Sequence, residues 1–250
     1  MLKMLKKMLE HRVLTNDYPR QPAEAPRAAT PLLDPQRCDY CGACATRCPA
    51  DAIVLDQEAK IAGIDYARCI FCLLCEEVCP RQAAQTSGDF ELAARTRQEL
   101  RPALPGSSSQ IPDDRGLRDP SLEVLQAKLK TRIHKLYGRS LHIREVDAGS
   151  CNACDYEVNA LNNPFNDIER LGISFVASPR HADMLLVTGA PSRNMQTALL
   201  KTYQATPDPK LVVAMGACAI SGGIFRDSYA TGNGIDTLIP VDVYIPGCPP

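Results

Sequence analysis

The chain has 250 residues, 45% apolar and 23% charged, which are the values of a folded protein of one or two domains. Its formal net charge of −1 excludes the basic stripe of a nucleic-acid binder. No stretch reaches the run of about 18 apolar residues that spans a bilayer, and with no tryptophan and 5% aromatics any core must be mainly aliphatic.

At the front, Leu2, Leu5, Leu9 and Val13 recur at helical spacing, and Lys3, Lys6, Lys7 and Arg12 take the remaining surface. Such a short basic amphipathic helix can lie on a membrane surface, dock on a partner, or pack on its own protein. Residues 18–36 hold Pro19, Pro22, Pro26, Pro31 and Pro35, which argues against regular structure and makes the rest of 1–36 an extended lead-in. Residues 37–86 contain eight cysteines in two similar blocks, an internal repeat of about 30 residues. Between the blocks lie a strand-like stretch, Ala52–Leu55, and its partner near Lys60–Ile64. Residues 89–100 read as helical and close a first domain over 37–100. Pro102, Pro105, Pro112 and Pro120, with Gly106, Gly116 and Ser107–Ser109, make 101–120 a flexible linker.

Ser121 is placed to cap a helix running through Tyr137, with Gly138 at its end. Short apolar runs then follow at Leu141–Val146, Ile173–Ala177, Met184–Thr188, Leu211–Met215 and Val241–Ile245, with helices around Tyr156–Asn162 and Asn194–Tyr203. Apolar strands alternating with helices predict a parallel sheet covered on both faces over 121–250.

Twelve cysteines admit disulfides, zinc or iron–sulfur clusters. The opening residues, with lysines among the apolar ones, form no uninterrupted signal core and no twin-arginine pair, so a cytoplasmic chain with reduced thiols is expected. The first block reads Cys38-Asp-Tyr-Cys41-Gly-Ala-Cys44-Ala-Thr-Arg-Cys48-Pro49, and the second Cys69-Ile-Phe-Cys72-Leu-Leu-Cys75-Glu-Glu-Val-Cys79-Pro80. Both match the C-x₂-C-x₂-C-x₃-C-P run of bacterial two-cluster ferredoxins, in which the fourth cysteine ligates the other cluster. The spacing therefore assigns Cys38, Cys41, Cys44 and Cys79 to one [4Fe–4S] cluster, and Cys48, Cys69, Cys72 and Cys75 to a second. Zinc sites use paired C-x₂-C motifs, so a third and fourth ligand at this pitch would be redundant.

Cys151, Cys154, Cys218 and Cys248 remain, each just beyond a predicted strand. In a parallel sheet such positions converge on the crevice at the carboxyl ends of the strands. Gly149, Gly216, Gly222, Gly223 and Gly247 beside them permit tight loops. Spacing alone leaves structural zinc or inert buried thiols open for this set.

The stretches Gly149-Ser-Cys151-Asn-Ala-Cys154-Asp-Tyr-Glu157, Ser178–Asp183, Met184–Gly189, Met215–Phe225 and Pro240–Pro250 resemble the small subunits of group 4 membrane-bound [NiFe] hydrogenases, formate hydrogenlyase type. The front half, with Met1–Leu9 and Arg68–Cys72, resembles the ferredoxin-like subunit of the same complexes, so the chain looks like a fusion of two electron-transfer subunits. The resemblance implies a third [4Fe–4S] cluster on Cys151, Cys154, Cys218 and Cys248. It implies a large-subunit partner carrying a nickel–iron site, integral membrane subunits, and a donor module such as formate dehydrogenase or ferredoxin. It also implies a peripheral place on the cytoplasmic face of the membrane. Glu157 becomes a candidate proton-path residue toward that nickel site, the plain alternative being an exposed acid favoured at a helix start. The separated pair Cys151 and Cys154 looks hydrogenase-like, because the related 20 kDa subunit of NADH:quinone oxidoreductase has adjacent cysteines there. The alternatives are a relay to a quinone or sulfur compound in a nickel-free complex, and a zinc-stapled scaffold.

Three departures stand out. Ala153 and Leu73 occupy positions where the family usually has glycine, and family members continue into further helix beyond the position of Pro250, which leaves a fragment or a naturally short second domain as the alternatives. Arg180 and His181 are expected to border the crevice; His11, His134 and His142 are expected to be structural, and Lys128, Lys130, Arg132 and Lys135 to form a solvated helix face. No Ser-His-Asp set, G-x-G-x-x-G or P-loop occurs, so the expected work is redox relay. The reading in full is an α+β ferredoxin-like domain followed by an α/β flavodoxin-like domain with a parallel sheet.

Overall fold

The computed structural model describes residues 30–87, 92–101 and 122–250. The expected helix at 1–14 and nearly all of the linker at 101–120 lie outside the described residues.

The front part is built from two small antiparallel pairs. Strand β1 (Thr30–Leu33) pairs with β4 (Ala84–Ser87), and β2 (Ile53–Asp56) pairs with β3 (Ile61–Ile64). Short helices α1 (Ala43–Arg47) and α2 (Leu74–Glu77) follow the two cysteine loops. Strand β1 falls inside the stretch whose prolines argued against regular structure. A two-stranded pair consists only of edges, so Pro31, which lacks an N–H, can sit opposite Thr86.

The back part opens with helix α3 (Leu122–Tyr137). There follow β5 (Leu141–Asp147), α4 (Ala153–Ala160), β6 (Ile173–Phe175) and β7 (Met184–Thr188). Helix α5 (Arg193–Ala205), β8 (Leu211–Met215), α6 (Ala217–Ser221) and β9 (Val243–Ile245) complete it. All five strands are parallel, in the order β6-β5-β7-β8-β9. Numbered within this domain that order is 2-1-3-4-5, the doubly wound arrangement of flavodoxin-like folds.

Alternation along the strands loads both faces. Leu185, Val187, Val212 and Ala214 point to one face with Leu199 of α5, while Ile143, Leu186, Val213 and Met215 point to the other with Val158 of α4. Each fully buried Leu or Val contributes roughly 1.5–3 kcal/mol.

Residues 92–101 are not the helix that the sequence suggested. Ala94 forms a one-residue antiparallel bridge with Tyr244 of β9, and Arg97–Leu100 is a single 3₁₀ turn. The backbone groups of Ala94 bond Tyr244 in both directions (2.9 and 2.8 Å), and the Leu100 carbonyl accepts the Tyr66 N–H at 2.8 Å. Long-range pairing thus satisfies the polar groups that a helix would have satisfied locally. Through this segment the two parts share one core, in which Ala52, Ile64, Tyr66 and Leu100 join Val146, Leu185, Val187 and Tyr244.

Candidate iron–sulfur sites

The two front loops are copies in three dimensions. The Tyr40 N–H points at Cys38 Sγ (3.4 Å), and its counterpart Phe71 N–H at Cys69 Sγ (3.4 Å). Likewise the Ala52 N–H points at Cys48 Sγ (3.3 Å) and the Ala83 N–H at Cys79 Sγ (3.1 Å). The loops wind by matched left-handed residues: Tyr40 with Phe71, Gly42 with Leu73, and Asp51 with Gln82. Leu73 therefore holds φ +62° where its counterpart is glycine, a geometry that costs an L-residue roughly 1–2 kcal/mol.

The loops border two small hollows. Cys48, Cys69, Cys72 and Cys75 line one, and Cys38, Cys41, Cys44 and Cys79 the other. Each hollow thus gathers three cysteines of one block and one of the other. Across the outer rim, Asp39 accepts the Cys41 N–H at 3.2 Å and pairs with Arg81 at 3.2 Å, tying one loop to the turn after Cys79.

The last four cysteines occupy the carboxyl ends of the parallel strands. Cys151 and Cys154 follow β5, Cys218 lies in α6 beyond β8, and Cys248 follows β9. Asp147 organises the first loop, its Oδ1 accepting the N–H groups of Gly149 (2.7 Å) and Ser150 (2.6 Å). The left-handed residue there is Asn152 (φ +67°), and Ala153 begins the helix, so the alanine avoids a positive φ. Asn tolerates that conformation better than most residues. Gly216 (φ +89°) brings backbone so close that a Cβ there would lie 2.7 Å from Cys154 Sγ.

Burial pushes the Cys69 and Cys154 thiols up to about 12, and Cys75 and Cys218 to about 11. The neighbouring thiols of each set add to the rise: Cys75, Cys48 and Cys72 act on Cys69, and Cys218, Cys248 and Cys151 act on Cys154. At Cys79 burial acts upward too, but amides at Ala84, Ala83, Arg81 and Gln82 outweigh it and bring the thiol down. Crowded, half-buried sulfurs of this kind become stable thiolates only around a cationic centre, and the amides aimed at them suit thiolate acceptors. Among the described residues no three His, Cys, Asp or Glu side chains converge on the point that a single ion would occupy. The sulfurs of the two front sets instead line hollows of four cysteines each, a donor set that a multinuclear cluster fits.

A carboxyl pair missed in the sequence lies beside the third set. Thr188 donates its hydroxyl to Asp155 Oδ1 at 2.7 Å and reaches Glu145 Oε1 at 3.3 Å, and Ser150 donates to Asp155 Oδ2. Burial, followed by the hydrogen bond and charge of Asp155, raises the Glu145 carboxyl to about 7. The available signal was an acid interrupting the apolar run of β5. Glu157 is exposed on α4. Arg180 and His181 do not border the crevice, because Pro179–His181 precedes β7 and so sits at the amino end of the sheet, where the His181 carbonyl meets His142 Nδ1 at 3.1 Å. The Lys128, Lys130, Arg132 and Lys135 side chains are exposed on α3 as expected, His134, expected to be structural, is exposed there too, and His11 lies outside the described residues.

Repeated thiol loops beside a doubly wound sheet define an iron–sulfur electron-transfer protein. Residues 30–80 match the 4Fe-4S dicluster domain, and residues 151–250 match the NADH ubiquinone oxidoreductase 20 Kd subunit. Formate hydrogenlyase subunit 7 of Escherichia coli is 50% identical over 124 residues, covering 50% of this chain and 49% of that one. The probable membrane-bound hydrogenase subunit mbhJ of Pyrococcus furiosus is 48% identical over 116 residues, covering 46% of this chain and 70% of that one. An NADH-quinone oxidoreductase subunit of Geobacter metallireducens is 50% identical over 97 residues, covering 39% of this chain and 56% of that one. The chain thus spans about half the length of the formate hydrogenlyase relative. It belongs to the family of the NADH:ubiquinone oxidoreductase 20 kDa subunit, iron–sulfur subunits of oxidoreductase complexes, and joins to that family's domain a [4Fe–4S] dicluster segment. Among the described residues no helix is long and apolar enough to cross a membrane.

Proposed function

We propose that the chain is the electron-transfer part of a membrane-associated [NiFe] hydrogenase of the formate hydrogenlyase type, peripheral on the cytoplasmic face. Three [4Fe–4S] clusters are assigned: one to Cys38, Cys41, Cys44 and Cys79, a second to Cys48, Cys69, Cys72 and Cys75, and a third to Cys151, Cys154, Cys218 and Cys248. When bound, these groups supply one-electron uptake and release. The paired antiparallel strands and matched loops of the front part support a ferredoxin-like domain. The observation that carries the reading is the gathering of four thiols from both front loops around each of two hollows, beside a parallel sheet whose carboxyl ends carry the remaining four.

In this reading the amides of Tyr40, Ala52, Phe71 and Ala83 hold charge on four of the sulfurs and tune their donor strength. The separated Cys151 and Cys154 favour the hydrogenase branch over the quinone branch. Every cysteine is used, so the nickel–iron site belongs to a partner large subunit, and Glu157 offers that partner an exposed carboxylate. Integral membrane subunits and a donor module, formate dehydrogenase or ferredoxin, complete the assembly.

The test is anaerobic purification of the complex, expected to give about 12 Fe for each copy of this chain, nickel in the large subunit, and H₂ evolution. A nickel-free complex that reduces a quinone or a sulfur compound would overturn the hydrogenase assignment. Colourless protein containing zinc would overturn the relay itself.

A further inference from the structure

The linker composition at 101–120 suggests two cluster-bearing domains on a loose tether, yet the segment just before it is built into both. Leu100 is 2% exposed in the shared core, and its carbonyl takes the N–H of Tyr66, three residues ahead of Cys69. Six residues earlier, Ala94 exchanges both backbone hydrogen bonds with Tyr244, four residues ahead of Cys248. Between them Arg97 reaches Asp236 at 3.5 Å and the Asn233 carbonyl at 3.4 Å. A second tie crosses nearby. Arg226, close after Cys218 in the chain, donates from Nη2 to Asp51 at 3.1 Å, and Asp51 follows Cys48 by three residues. Both ties thus join the loops of the second thiol set to the loops of the third.

We infer that residues 92–101 are a positioning strap which, with the Arg226–Asp51 pair, fixes the separation of the second and third thiol sets, so that the two domains work as one rigid conduit. The inference rests on the relay reading above. The elementary event it serves is the loss of one electron at the second site and its gain at the third, with no bond made or broken. A fixed gap matters most at this boundary, because the first and second sets already share interleaved loops. Side-chain ties alone would not hold it: Asp51 is 74% exposed, and pairs of that kind contribute about 0–1 kcal/mol. The two backbone bonds at Ala94 and the buried Leu100 are the firmer anchors.

The test uses the full chain with its clusters assembled anaerobically and reduced, read by the magnetic splitting between neighbouring paramagnetic clusters. Ala94→Pro removes the donor to Tyr244. Leu100→Ala withdraws the buried anchor and leaves the backbone bonds of Ala94 in place, and it carries the test if the proline variant does not fold. The expected result is loss of the second-to-third splitting in Ala94→Pro and a weaker splitting in Leu100→Ala. All three signals and the first-to-second splitting should remain in both. An unchanged second-to-third splitting in the folded variants overturns the strap, as does its absence from the native chain. Native chain lacking three cluster signals overturns the relay reading instead.

Discussion

Replacing Gly216 by alanine should remove one cluster and leave the other two. The residue has φ +89° and ψ +154°, a region essentially confined to glycine. Imposing it on alanine costs about 1–3 kcal/mol, well short of the roughly 5–15 kcal/mol that holds a domain folded. The steric effect is the larger one. The added Cβ would lie 2.7 Å from Cys154 Sγ, whereas carbon contacts settle at about 3.5–4.0 Å. The sulfur must therefore move by about 1 Å, several times the roughly 0.2 Å tolerance of a metal–ligand distance. Iron content should fall from about 12 to about 8 for each chain, with the spectra of the front clusters unchanged. Gly42→Ala is the control: at φ +79° and ψ +2° it lies in the left-handed region that its counterpart Leu73 adopts, and the new Cβ meets only Leu55 Cδ2 at 3.6 Å. That variant should lose stability and keep its iron. Retention of about 12 Fe and an unaltered third signal in Gly216→Ala would refute the reasoning.

Two further outcomes follow from the polar network of the sheet. The folded protein holds the Glu145 carboxyl near 7 against an ordinary 4.5, so between those values it binds more protons than the unfolded chain. Stability should consequently fall as pH rises through that window, and Glu145→Gln should raise the urea midpoint above pH 7 while changing it little at pH 4.5; a gain independent of pH would contradict this. Asp183, with its side chain 11% exposed, accepts Arg139 at 2.6 and 3.0 Å and the His142 N–H at 2.9 Å. Asp183→Ala should cost about 3 kcal/mol in urea unfolding, since it strands charged and backbone donors, with Asp183→Asn in between.

How much could be read in advance depended on the range of the interaction concerned. Met184–Thr188 and Leu211–Met215 are strands over the predicted spans because unbroken apolar runs commit them to a two-faced sheet. The repeat of the front cysteines was legible because two blocks of one spacing fold into matched loops. Strand β1 was not, since Pro31 argues locally against a strand and only pairing with Ala84–Ser87 overrides it. The segment at 92–101 was misread for the same reason: nothing near Ala94 announces Tyr244, 150 residues away in the chain. The Glu145–Asp155 pair escaped because a strand end and a helix start bring together acids that look unrelated in the sequence.

The bridge at Ala94 has a bearing on solubility. A five-stranded sheet has two open borders, and an open border with unpaired amides invites another chain to add itself. Here both borders are only three residues long, at Ile173–Phe175 and Val243–Ile245, and on the latter the two backbone groups of Tyr244 are already taken by Ala94. Recruitment of a foreign strand at that side would first have to displace the chain's own cover.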